Sequence, residues 1–98
     1  MHLVKEIIDI KPYSIRLRFN TDEELIIDLE EKLREWSSKP SSKFRELLDP
    51  DFFLQVELNN EMKTIYWKNG LDLCPDFLYS IGRRGEQDAR GQQLPLER

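Results

Sequence analysis

The sequence holds one cysteine and one histidine, only four glycines in 98 residues, and no apolar run longer than three. Each scarcity closes off a class of protein. A lone Cys74 forms no intramolecular disulfide, and with His2 as the sole imidazole the nitrogen and sulfur ligands of a transition-metal site are missing. Runs such as Leu25–Ile27 and Phe52–Leu54 fall far short of the roughly 20 apolar residues that carry a helix across a bilayer. The glycines are too scattered for a phosphate-cradling loop, and there is no nucleophile elbow and no internal repeat. No metal, cofactor or membrane association is therefore expected. No charged-then-apolar leader opens the chain at Met1-His2-Leu3-Val4, which together with the single cysteine points to the cytoplasm.

What is present fits one small domain. Hydrophobic residues make up 39% and charged residues 35%, with a net charge of −4. That balance favours solubility and works against non-specific attraction to a polyanion.

Between Leu3 and Ile10, Val4, Ile8 and Ile10 are expected on one side of a strand and Lys5 and Asp9 on the other, with Glu6 the misfit. Lys11-Pro12 interrupts the ladder because proline has no N–H to donate. Tyr13, Ile15, Leu17 and Phe19 then alternate with Ser14, Arg16 and Arg18, the pattern of a half-buried strand. From Asn20 to Trp36 two readings compete. Thr21 with Glu24 forms a capping box for one long helix, whose stripe would be Leu25, Leu29, Leu33 and Trp36. Alternatively, residues 24–28 return as the second limb of a hairpin, and Asp28 with Glu31 caps a shorter helix over 29–36. The second reading is adopted.

Residues 37–43, rich in serine, form a flexible linker loop. Ser42 then caps a short helical piece from Phe44 to Leu48, which Asp49-Pro50 ends. Alternation of Phe52, Leu54, Val56 and Leu58 predicts a strand from about Leu54. Asn59-Asn60 is expected to turn it through positive φ, and residues 63–67 return with Ile65 and Trp67 inward and Thr64 and Tyr66 outward. Asn69-Gly70 redirects the chain into a helix capped at Cys74, with Pro75 in its first turn, Asp76 at its positive end, and Leu73 and Leu78 as a hydrophobic staple. Gly82 suits a left-handed stop. The domain is thus placed at 1–81, and residues 82–98, polar until Leu94, are expected to be a disordered tail.

The candidate chemistry is thin. Asp72 and Asp76 are the best paired carboxylates and Cys74 the sole thiol, but no base stands near them in sequence, and caps and turns account for all three. An enzyme would need a pocket lined by at least two of them. Arg16 and Arg18, with Tyr66 and Lys68, offer a basic stripe for nucleic acid, although such charges ordinarily only solvate the wet face of a sheet. Trp36 and Trp67 are both expected in the core.

The series Trp67, Asn69, Gly70, Asp72, Leu78 and Tyr79, within the stretch 65–79, resembles the small bacterial family catalogued as domain of unknown function 2442, over about Val4 to Tyr79. Phe19, Asp28-Leu29, Phe44, Leu47, Asp49-Pro50 and Phe52 extend the likeness. It departs at Thr21-Asp22-Glu23, where the family usually has a glycine, and in a longer 37–43 linker. The resemblance implies an α+β domain: a small antiparallel sheet of about five strands in two hairpin-like units, with short helices packed on it. It implies no established activity. Some relatives carry a helix-turn-helix domain after the module, and others stand beside a second small gene in a toxin–antitoxin-like arrangement. With 19 residues after Tyr79, the expectation is a non-enzymatic protein-interaction module. Its partner would be another protein or a second copy in a homodimer, rather than nucleic acid bound directly. Arg16, Arg18, Tyr66, Lys68 and Tyr79 are the candidate contact surface, while Trp67, Asn69, Gly70, Asp72, Pro75, Asp76, Leu78 and again Tyr79 mainly serve the architecture.

Overall fold

The computed structural model of the protein describes residues 1–84. Strands β1 (Val4–Lys11), β2 (Ser14–Phe19) and β3 (Glu24–Asp28) form an antiparallel sheet in the order β1-β2-β3. Helix α1 (Glu30–Trp36) follows, then a 3-10 turn (Lys43–Leu48) and the short α2 (Pro50–Phe53). A second antiparallel pair, β4 (Glu57–Asn59) and β5 (Thr64–Tyr66), precedes the last helix, α3 (Pro75–Ile81). The fold is α+β, its five strands divided between two sheets. The Val4 N–H bonds the Lys63 carbonyl at 2.8 Å and joins those sheets.

The alternation of β2 places Ile15, Leu17 and Phe19 inside, opposite Leu25 and Ile27 of β3. Leu29, Leu33, Leu47, Phe53, Ile65, Trp67 and Leu78 close the same core. Residues 24–36 are strand then short helix, because Leu25 and Ile27 need the sheet face while Leu29 and Leu33 need the helical stripe. Asp28 accepts the Glu30 N–H at 3.1 Å and starts α1 without the expected partner Glu31. The tight β2–β3 turn puts Asp22 at φ 70°. Aspartate tolerates this left-handed conformation better than most side chains, which explains how the turn forms without glycine.

Several expectations are corrected. Irregular register between Val4 and Glu6 and between Ile7 and Asp9 turns Ile7 toward the core and leaves Ile8 37% exposed. A bulge inverts the inside-outside pattern, which strict alternation misses. Glu6, the misfit, meets Arg18. The strand expected from Leu54 begins only at Glu57, since Asp49 caps α2 through the Asp51 N–H. Phe53 and Val56 are buried and Leu54 exposed, a helical spacing across what reads as period two. At the β4–β5 turn the residue with positive φ is Lys63, at 57°, while Asn59 accepts the Glu61 and Met62 N–H groups. Thr64 is buried, its hydroxyl donated to the Leu73 carbonyl. Cys74 caps α3 by position only; its side chain makes no cap bond and it is exposed.

Gly82 is extended, at φ −73° and ψ 154°, rather than left-handed. A Cβ there would lie 2.9 Å from Leu25 and Ile27 side-chain atoms, so glycine serves close approach to β3. Arg83 then pairs with Ile26 through two backbone hydrogen bonds of 2.7 and 3.1 Å, carrying the fold past the expected boundary at 81. From residue 85 onward the expected tail lies outside the described residues. Among the described residues no helix is long and apolar enough to cross a membrane.

Two substitutions test this packing. Trp67→Ala should cost about 3–5 kcal/mol in denaturant unfolding, and a loss below about 1 kcal/mol would show that the indole is not a core element. Gly82→Ala should cost about 1–3 kcal/mol through overpacking against β3, and an unchanged midpoint would contradict the close approach.

Candidate functional site

Several residues of the stretch from Ile65 to Tyr79 are engaged in packing and turns. Trp67 is 1% exposed and donates its indole N–H to the Phe53 carbonyl at 3.1 Å. Gly70 takes φ 95° and donates its N–H to the Trp67 carbonyl. Asn69, not Asp72, satisfies the turn by accepting the Leu71 N–H at 3.2 Å, and its amide also reaches Glu46 at 2.6 Å. Leu73 and Leu78 both enter the core, as the staple requires. Pro75 occupies the first helical position, where a missing N–H costs nothing.

The solvent face of the first sheet carries Arg16 and Arg18, but each is matched by acid. Arg18 contacts Glu6 at 3.1 Å and Glu24 at 2.7 Å, and Arg16 lies 3.7 Å from Glu24. The Glu6 hydrogen bond is the main cause of an upward shift in the Arg18 pKa. Tyr66 and Lys68 belong to the second sheet and the turn after it, so the sequence-proposed surface is split between the two sheets. Tyr66 donates to Glu57 at 2.9 Å, which raises the phenol pKa.

Tyr79 is committed to a node that the sequence did not suggest. Its hydroxyl donates to Glu23, which also accepts from Thr21 at 2.8 Å and pairs with Arg84. The His2 ring stacks on Tyr79 with centroids 3.7 Å apart and planes 14° from parallel, and Phe19 meets the tyrosine edge-on at 5.4 Å. Asp76 accepts the His2 backbone N–H at 2.8 Å, and the ring Nδ1 lies 2.9 Å from the same oxygen. The N-terminal segment is thereby fastened to α3. Both carboxyls titrate below their ordinary values, Glu23 chiefly because Tyr79 donates to it and Asp76 chiefly because of the His2 backbone N–H.

An apolar concavity lies beside Phe77 of α3. Trp36, expected in the core, stands half-buried at the end of α1, 5.0 Å from Phe44 and 5.7 Å from Phe77 between ring centroids. These rings and Leu73 border an open groove of about 490 Å³, with exposed Lys39, Asp72 and Cys74 also lining it. The serine-rich loop builds one wall: Ser42 donates to the Trp36 carbonyl at 2.9 Å and accepts the Phe44 N–H at 3.2 Å. Arg45 holds the loop from outside by donating to the Ser37 carbonyl at 3.3 Å. Among the described residues nothing hydrogen-bonds or ion-pairs with the side chains of Lys39, Asp72 or Cys74. Two of the three residues weighed for catalysis, Asp72 and Cys74, do share this groove, whereas Asp76 is engaged by His2. A cation or a dipolar head group can be held at this rim, and apolar side chains over the rings. The sequence signal for the groove is the pair of aromatics flanking the linker, Trp36 and Phe44. Among the described residues no cluster of histidine, cysteine and acidic side chains is arranged to hold a metal.

Fold and surface define a small two-sheet α+β domain with an aromatic groove between its first and last helices. The chain belongs to the family described as protein of unknown function (DUF2442), whose model matches residues 4–84. No curated protein matches it in sequence. Among solved structures it is similar to a protein of Nitrosomonas europaea ATCC 19718 named as a proposed DNA-binding protein. The TM-score is 0.68 at 21% identity, covering 91% of this chain and 52% of that one. The likeness shows the fold, and this chain spans about half the length of that relative.

The node predicts an acid sensitivity. A carboxyl lowered in the folded state adds stability that is present above its unfolded pKa and lost as pH falls through the folded one. Thermal midpoints should therefore decline as pH drops below the ordinary glutamate value of 4.5. The Glu23→Gln, Asp76→Asn double variant should decline less steeply, and an identical slope would remove the node from the acid response.

Proposed function

We propose that the protein is a non-enzymatic protein-interaction module that receives apolar side chains of a partner in the groove between α1 and α3. The observation that carries this reading is the trio Trp36, Phe44 and Phe77, left half-buried around one concavity whose rim charges have no partner among the described residues. Aromatic side chains held rigidly in a partly desolvated pocket are where binding energy concentrates. A proteinaceous partner encoded nearby, in the manner of a toxin–antitoxin pair, and a cytoplasmic setting belong to the same proposal.

A nucleic-acid-associated role is the second reading, and the name of the Nitrosomonas europaea protein favours it. Against it, the acids paired with Arg16 and Arg18 leave the basic stripe with little net positive field. An enzymatic role for Asp72 and Cys74 would require a base beside the thiol, and His2 is engaged with Asp76 and Tyr79.

Affinity capture from the native cell, with wild type and Phe77→Asp side by side, tests the first reading. Wild type should enrich a specific protein, and the variant, with unchanged circular dichroism, should lose it by about tenfold or more, as expected for one buried aromatic contact. Equal recovery by both, or recovery of the protein alone, would overturn it.

A further inference from the structure

The groove is apolar at its rings, and at its rim stand a cation, Lys39, and an anion, Asp72, whose side chains have no partner among the described residues. Matching chemistry occurs once in residues 85–98. Apart from Ala89, their apolar side chains are Leu94, Pro95 and Leu96, followed directly by Glu97 and Arg98. We propose that Leu94-Pro95-Leu96 of this chain is the resident occupant of the groove, its leucines over Trp36 and Phe77, with Glu97 and Arg98 complementing Lys39 and Asp72. The proposal rests on the binding reading above and adds its regulation: a partner must displace the chain's own segment.

Chain geometry permits it. From Phe77 to Ile81 the helix advances about 6 Å, and the three further residues to Arg84 add at most about 10 Å. Arg84 therefore lies within roughly 16 Å of Phe77. The ten residues from Arg84 to Leu94 can span about 33 Å, so a tether attached at Arg84 reaches the groove with length to spare. A proline disfavours helical backbone at the residue before it, which lowers the ordering cost of seating a short apolar segment on aromatic rings. The tether also supplies a high effective concentration, so modest contacts suffice for occupancy.

Cys74 reports on the groove because it lines the site and is the chain's sole thiol. The experiment measures the rate at which a bulky maleimide labels Cys74 in the full-length protein and in a Leu94→Asp, Leu96→Asp double variant, whose altered side chains lie outside the described core. Labelling should be about fivefold faster in the variant, the change that follows when a site occupied about four-fifths of the time is freed. A synthetic peptide of residues 85–98 should slow the variant again. A wild-type rate independent of protein concentration places the segment in its own chain's groove and upholds the proposal; a rate that falls with concentration places it in a second copy's and overturns it. Equal labelling of wild type and variant overturns the proposal. An apolar fluorescent dye separates that failure from failure of the binding reading. Dye bound by wild type and lost in Phe77→Asp keeps the groove as a binding site, whereas no dye bound by either form of the tail removes both readings.

Discussion

Trp67 holds together parts of the chain that lie apart in the sequence. Its indole is buried and donates to the Phe53 carbonyl at 3.1 Å, its ring packs on Phe53 at 5.7 Å, and Phe53 meets Tyr13 edge-on at 5.4 Å. Tyr13 in turn donates its hydroxyl to the Leu48 carbonyl and accepts the Leu29 N–H at its own carbonyl. The second sheet, α2, the β1–β2 hairpin and the start of α1 are thus linked through one aromatic stack. Burying a large ring with its polar edge satisfied combines area removed from water with no stranded donor, which is why so small a domain can rest on it.

Around that stack the protein closes its surface unevenly. The exposed face of the first sheet is self-neutralised by Arg16, Arg18, Glu6 and Glu24, and the end of α3 is latched by Glu23, Tyr79, Asp76 and His2. The outer edge of β3 is partly covered by Arg83. By contrast, the rings of Trp36, Phe44 and Phe77 pack on one another and are covered only in part by the described residues. Charge and sheet edge are thus spent on holding the domain together, while three half-buried aromatic rings border one groove.

Much of this was legible from residue pattern. Strict alternation over Tyr13–Phe19 gave the central strand, and Cys74-Pro75-Asp76 marked the start of α3, because both signals are local and steric. The long-helix alternative for 22–36 was ruled out only by pairing of β3 with β2. Misreadings fell where two local periods compete or a neighbour decides. Phe53 and Val56 bury with helical spacing inside an apparent strand, bulges exchange Ile7 for Ile8, and Gly82 answers to the side chains of Leu25 and Ile27. The groove was hidden because its walls lie on α1, a serine-rich loop and α3, remote in sequence, and because a half-buried tryptophan reads the same as a core one.

By itself the sequence determined the class of fold, the central hairpin, the aromatic core residue Trp67 and the family signature at 67–79, since periodicity, turn chemistry and capping act over a few residues. Tertiary structure alone decided which arginines are neutralised, what Tyr79 and Glu23 hold, why residue 82 is glycine, and that Trp36, Phe44 and Phe77 converge on a groove. Those outcomes depend on distances between segments far apart in the chain, and such distances are set only when the whole core packs.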